Sequence, residues 1–133
     1  MIDIEVKVFN RAHAKAAPLC AKNGFVSVAI TEMPTAFPAG SLYELENHTD
    51  RPRQSSTPIE NYAVITYQLE VYATTKSGCR KVYAAVDDEM ISMNFDRISG
   101  DFLPAPNGNT KLFRYVARYE ALVDRYGNLY RRR

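Results

Sequence analysis

The stretch "KLFRYVARYEALVDRYGNLYRRR", residues 111–133, interleaves aromatic and basic residues and ends in three arginines. Successive side chains of a strand point to opposite faces. Read this way, Phe113, Tyr115, Ala117, Tyr119, Ala121 and Val123 share one face, and Arg114, Arg118, Glu120 and Asp124 share the other. A platform for single-stranded nucleic acid needs aromatics and cations on one surface, where stacking gives roughly 1–3 kcal/mol per base. The alternation separates them instead. It predicts an aromatic face buried on a helix and an arginine face turned to solvent or to a neighbouring subunit. "RYGN" then turns the chain, and the last residues, about 128–133, return as a short strand or arm. For Arg131, Arg132 and Arg133 a solvated end and a contact with carboxylates or passing DNA both stay open.

The partner elements lie upstream. In "YAVITYQLEVYAT" (62–74), Ala63, Ile65, Tyr67, Leu69, Val71 and Ala73 alternate with Thr66, Gln68, Glu70 and Thr74, the period-two pattern of a strand rich in β-branched and aromatic residues. Cys79, Val82, Val86, Met90 and Met93 recur at three and four, with Tyr83 beside them. This spacing predicts one long amphipathic helix over about 77–95, started by Ser77 and packed by one stripe on the sheet. "RISGDFLPAPNGN" (97–109) reads as an irregular strand broken by Gly100 and its prolines, with Asn107-Gly108 as a tight turn.

Nearer the start, Ile2, Ile4, Val6 and Val8 alternate like a strand, while Ile2, Val6 and Phe9 also fit one helical face. The run into "RAHAKAA" favours a helix over about 3–17, stopped by Pro18 and Asn23-Gly24. "FVSVAITEM" (25–33) reads as a short buried strand and "SLYELENH" (41–48) as a weaker one. Residues 49–61 combine prolines, hydroxyl residues and charges with only Ile59 to bury. They predict a long mobile loop, a length that usually marks disorder or contact. The order of elements, without βαβ alternation or repeats, gives the α+β class with a mainly antiparallel sheet.

Chain length suits a single domain, residues 1–133, with its own core. Apolar residues make up 46% and charged residues 24%, an ordinary globular balance. No apolar run approaches the ~20 residues of a membrane helix, and "MIDIEVKVFN" lacks the basic and apolar regions of a secretory signal. The expectation is no membrane association. The net charge of +2 is too small for a protein whose affinity rests on phosphate neutralisation. It is unevenly spread: residues 111–133 hold seven Lys/Arg and two Asp/Glu, whereas residues 1–110 hold ten and thirteen.

Catalytic chemistry finds no support. His13 and His48 have no ligand-spaced companion, and Cys20 and Cys79 stand far apart, as expected of two reduced thiols. Asp87, Asp88 and Glu89 are consecutive, and helix positions about 100° apart do not converge on one ion. With no phosphate loop, dinucleotide fingerprint or nucleophile elbow, neither an enzyme nor a cofactor is expected.

"YQLEVYATTKSGCRKVYAAVDDEM" (67–90) followed by "PAPNGNTKLFRYVARYEALVDRYGNLYRR" (104–132) resembles the small tail-terminator or minor capsid proteins of the head-tail joining region in tailed phages and prophages of Gram-positive bacteria. The resemblance spans roughly residues 56–132. It implies a non-catalytic virion protein at the head-tail interface, made in the host bacterial cytoplasm. Its partners would be itself in a ring, usually of six, the tail tube protein, and a connector or stopper, with DNA passing through the ring without specific binding. A rotationally closed ring needs two different complementary surfaces per subunit. Arg114, Arg118, Arg131, Arg132 and Arg133 are expected to meet acidic groups of a neighbour or connector, and Arg51 and Arg53 to reach the tube. Another head-tail joining protein, a stopper or completion factor, is the neighbouring alternative, and a nucleic-acid-binding module a more distant one.

Overall fold

The computed structural model describes residues 3–30, 34–49, 62–104 and 111–131. The elements run α1 (Glu5–Ala16), a 3-10 turn (Ala17–Leu19), β1 (Phe25–Val26), β2 (Ala39–Thr49), β3 (Tyr62–Ala73), α2 (Lys76–Ser92), β4 (Asp96–Leu103), β5 (Phe113–Asp124) and β6 (Leu129–Tyr130). Six strands form one sheet in the order β1-β2-β3-β5-β4, with β6 also pairing β5. Every pairing is antiparallel except the two-residue β1–β2 contact. The class is α+β.

Strand β3 sits at the centre and is buried on both faces, apart from half-buried Tyr62. Its odd residues from Ile65 to Ala73 join Tyr115, Ala117, Tyr119, Ala121 and Val123 of β5 in one hydrophobic core under both helices. From α2 come Cys79, Val82, Val86 and Met90, the stripe read from the sequence. The Tyr119 hydroxyl donates to Asp87 Oδ1 at 2.7 Å, so a buried phenol is paired and α2 is tied to β5.

The ends of α2 are set by local chemistry. Thr75, not Ser77, is the N-cap: its Oγ1 accepts from the Gly78 N–H at 3.0 Å. At the other end Asn94 takes a left-handed φ of 72°. Its N–H reaches Ile91 O, and Phe95 N–H reaches Met90 O, both at 3.0 Å. This is a Schellman closure with Phe95 packed back into the core.

Four expectations are corrected. The opening residues are helical, but the buried face is Ile4, Val8, Ala12 and Ala16, while Val6 is 74% exposed. Spacing by four brings those residues under one stripe, which the Ile2, Val6, Phe9 reading misses. The strand expected over 25–33 shrinks to Phe25–Val26, Val28 is exposed, and residues 31–33 lie outside the described ones. The weak 41–48 signal belongs to an 11-residue strand whose alternation is reset by a bulge at Leu45. Gly100 does not break β4: a Cβ there would fall well inside contact distance of the Tyr115 hydroxyl, so glycine makes room for that ring. The expected 49–61 loop begins after Thr49, and residues 50–61 and the Asn107-Gly108 turn lie outside the described residues.

Candidate assembly interface

One face of the sheet carries the helices; the other carries the arginines. Residues directly opposite in an antiparallel pair share a face. The register sets Tyr43 against Gln68, Gln68 against Arg118, and Tyr72 against Arg114, so β2, β3 and β5 contribute side by side to the helix-free face. There they form a continuous polar chain. Arg118 Nε donates to Gln68 Oε1 at 2.9 Å, Gln68 Nε2 donates to the Tyr43 hydroxyl at 2.6 Å, and Tyr43 donates to Glu70 Oε2 at 3.0 Å. Arg114 Nη2 completes it at 2.8 Å from Glu70 Oε1.

Burial gives this chain its weight. Glu70 and Gln68 are buried although no helix covers them, because β3 is flanked on both sides by long strands. A buried carboxylate is costly without donors, and Glu70 has Tyr43 and Arg114. Burial, then the Glu70 charge, push the Tyr43 phenol up to about 12. The Glu70 hydrogen bond raises Arg114 further above its already high value. Tyr72 is likewise raised, by burial first and Glu70 second. All three shifts hold the pair ionised and the phenols neutral.

The seven arginines singled out in the sequence fare differently. Arg114 is about one-quarter exposed and ion-paired within its own chain. Arg118 is exposed and hydrogen-bonded to an amide, which leaves its charge unneutralised. Arg131 lies at the β4–β6 edge, with Nη1 3.1 Å from Asp96 Oδ1 and Nη2 3.2 Å from Ile91 O, where it meets the carbonyl end of α2. Arg51, Arg53, Arg132 and Arg133 lie outside the described residues. The structure thus brings Arg114 and Arg118 together and sets Arg131 apart.

The sequence reading missed Tyr43 and Tyr72 as members of the arginine face. The alternation of β5 alone separates aromatics from arginines, but β2 and β3 add their own tyrosines, which only the register reveals. These do not make a stacking surface: Tyr72 is 2% exposed and the Tyr43 hydroxyl is engaged with Glu70. Among the described residues, no group of three or more His, Cys, Asp or Glu could hold a metal ion. Burial raises both thiols, Cys20 and Cys79, to about 11, which makes them poor nucleophiles. No described helix is long and apolar enough to cross a membrane.

No protein-family profile matches the chain, and no curated protein matches it. The fold does have a solved counterpart. A chain from the virion of a native gene transfer agent particle superposes with a TM-score of 0.65 at 16% identity, covering 91% of this chain and 94% of that one. The two share a fold over almost their whole lengths.

Proposed function

We propose that this chain is a structural protein of a phage-like virion, and within it the tail terminator that caps the head-proximal end of the tail tube and joins it to the head connector. The observation that carries the reading is the end-to-end likeness to a chain of an assembled virion, with little left over on either side for another role. Such a protein is made in the host bacterial cytoplasm and ends in the virion at the head-tail interface. It works as a ring of copies, six by the resemblance, touching the tail tube protein on one side and a connector or stopper on the other. DNA passes through without specific binding.

The electrostatics support assembly over nucleic-acid capture. Among the described arginines, Arg11, Arg97, Arg114 and Arg131 are matched by carboxylates of the same chain. Glu70 in the middle of the arginine face would repel a phosphate. Arg118, the exposed cation of that face, is the residue we assign to the neighbour contact, with Arg114 positioned behind it. Arg131, Arg132 and Arg133 take a second contact, and Arg51 and Arg53 the tube.

Loss of the gene tests the reading. A terminator halts tube growth, so particles made without it carry tails of uncontrolled length. Tails of normal length that fail to join heads would assign the chain to a stopper or completion factor instead. Normal joined particles would overturn a neck role altogether.

A further inference from the structure

The start of α1 and the middle of β2 place three carboxylates together. Asp3 Oδ1 accepts from the Glu5 N–H at 3.0 Å, and Glu44 Oε1 is held at 3.2 Å by the Asn47 amide. Burial, then the Glu5 charge, hold the Glu44 carboxyl above its ordinary range, with Asp3 adding to the effect. An acidic cluster at a helix N-terminus is partly compensated by the helix dipole alone. Here a second feature points to a guest. Tyr67, directly opposite Glu44 in the register, is 1% exposed, and its hydroxyl has no partner among the described residues. Its phenol feels Glu44, Glu5 and Asp3, in that order, after burial. Buried hydroxyls are otherwise paired, so the cluster and the phenol together form an acceptor-rich socket short of donors.

The same described residues offer no set able to hold a metal ion. A guanidinium, with five N–H donors, fits better. The chain carries a matching group on its opposite edge. Glu44 lies on β2, whereas Arg131 follows β6 beside Asp96 of β4. Strands β3 and β5 intervene, a separation of roughly 14 Å at about 4.8 Å per strand. Donor and acceptor on opposite edges disfavour a contact within one subunit and suit head-to-tail contact between copies.

We infer that the Asp3–Glu5–Glu44 socket receives an arginine of the Arg131–Arg133 run of a second copy. The inference rests on the multi-subunit reading above and names the acceptor that reading lacks. Arg131 is anchored by Asp96 and Ile91, so Arg132 and Arg133 are the groups presented to the neighbour.

The test is a titration of full-length protein against a labelled peptide of residues 126–133, YGNLYRRR, at low salt. Saturable binding is expected, weakened about tenfold by Glu5→Gln/Glu44→Gln, as follows from losing charge-assisted hydrogen bonds, and unchanged by Asp88→Asn on the exposed face of α2. Glu44→Gln alone removes a like charge and keeps the measurement readable if the double variant does not fold. No saturable binding, or equal binding to the Gln variants, would overturn the inference whatever the virion role proves to be. Peptide binding through the socket by a chain absent from virions would sink the virion reading and leave this contact standing.

Discussion

Arg114 and Glu70 meet diagonally across β3 and β5: Arg114 faces Tyr72 and Glu70 faces Val116 in the register, yet Nη2 and Oε1 close to 2.8 Å. The pair is a component of the fold as much as of any contact surface. Arg114→Ala strands a carboxylate whose side chain is only 6% exposed. Urea unfolding should show a loss of about 1–3 kcal/mol, the cost of an unsatisfied buried charge partner. Arg118→Ala, with its guanidinium in solvent, should cost under about 1 kcal/mol.

That difference decides how the interface is probed. Arg114→Glu would set two carboxylates against each other and unfold the subunit, so loss of assembly in that variant says nothing about a surface. Arg118→Glu is the informative change. Sedimentation of mixtures with the tail tube protein should show weaker complex formation while the circular dichroism melt stays near that of the parent. Unaltered complexes would remove Arg118 from the interface.

Tyr115 occupies the space that Gly100 leaves, and its ring packs 4.2 Å from that of Tyr83 and 5.1 Å from that of Phe102. Gly100→Ala displaces this ring and should cost about 1–3 kcal/mol, as overpacking does. In a Tyr115→Ala background the same change should cost much less, because the two residues contend for one volume. Equal costs in both backgrounds would mean that the glycine serves the backbone instead.

Two carboxylates give opposite pH signatures. Glu44 is raised by burial and then by Glu5, so its contribution to stability is full below the unfolded-state value and is lost as pH rises through the folded one. Asp124 runs the other way. Burial pulls it up, but hydrogen bonds from the Asn128 backbone and amide, the Tyr126 N–H and the Tyr130 hydroxyl hold it below its ordinary value. Its contribution is present above the unfolded-state value and is lost as pH falls through the folded one. Melting temperature against pH should therefore lose its mildly acidic rise in Glu44→Gln and its strongly acidic fall in Asp124→Asn.

Period and spacing made the centre of this fold legible. The alternation of β3 and β5 and the three-and-four spacing of α2 depend on side chains one or two turns apart, which a sequence displays directly. What stayed hidden depended on partners far along the chain. Gly100 looked like a breaker because its reason, Tyr115, lies on the next strand. The bulge at Leu45 disguised the long β2 by shifting its alternation. The arginine face was legible as a face, but Glu70 and Tyr43 became its partners only through the register. Of the candidate residues, Arg118 stands as an exposed cation and Arg114 as one already occupied, a distinction that alternation cannot draw.

The central claim is that this chain belongs to the neck of a virion. Cryo-electron microscopy of particles purified from the producing strain tests it most directly, with the chain located by fitting its six-stranded sheet into the density. A closed ring of copies at the head-proximal end of the tail tube, with the helix-free face of each sheet against a neighbour or the tube, is the predicted result. Particles whose neck density contains no such ring, from a strain that expresses the chain, would contradict it.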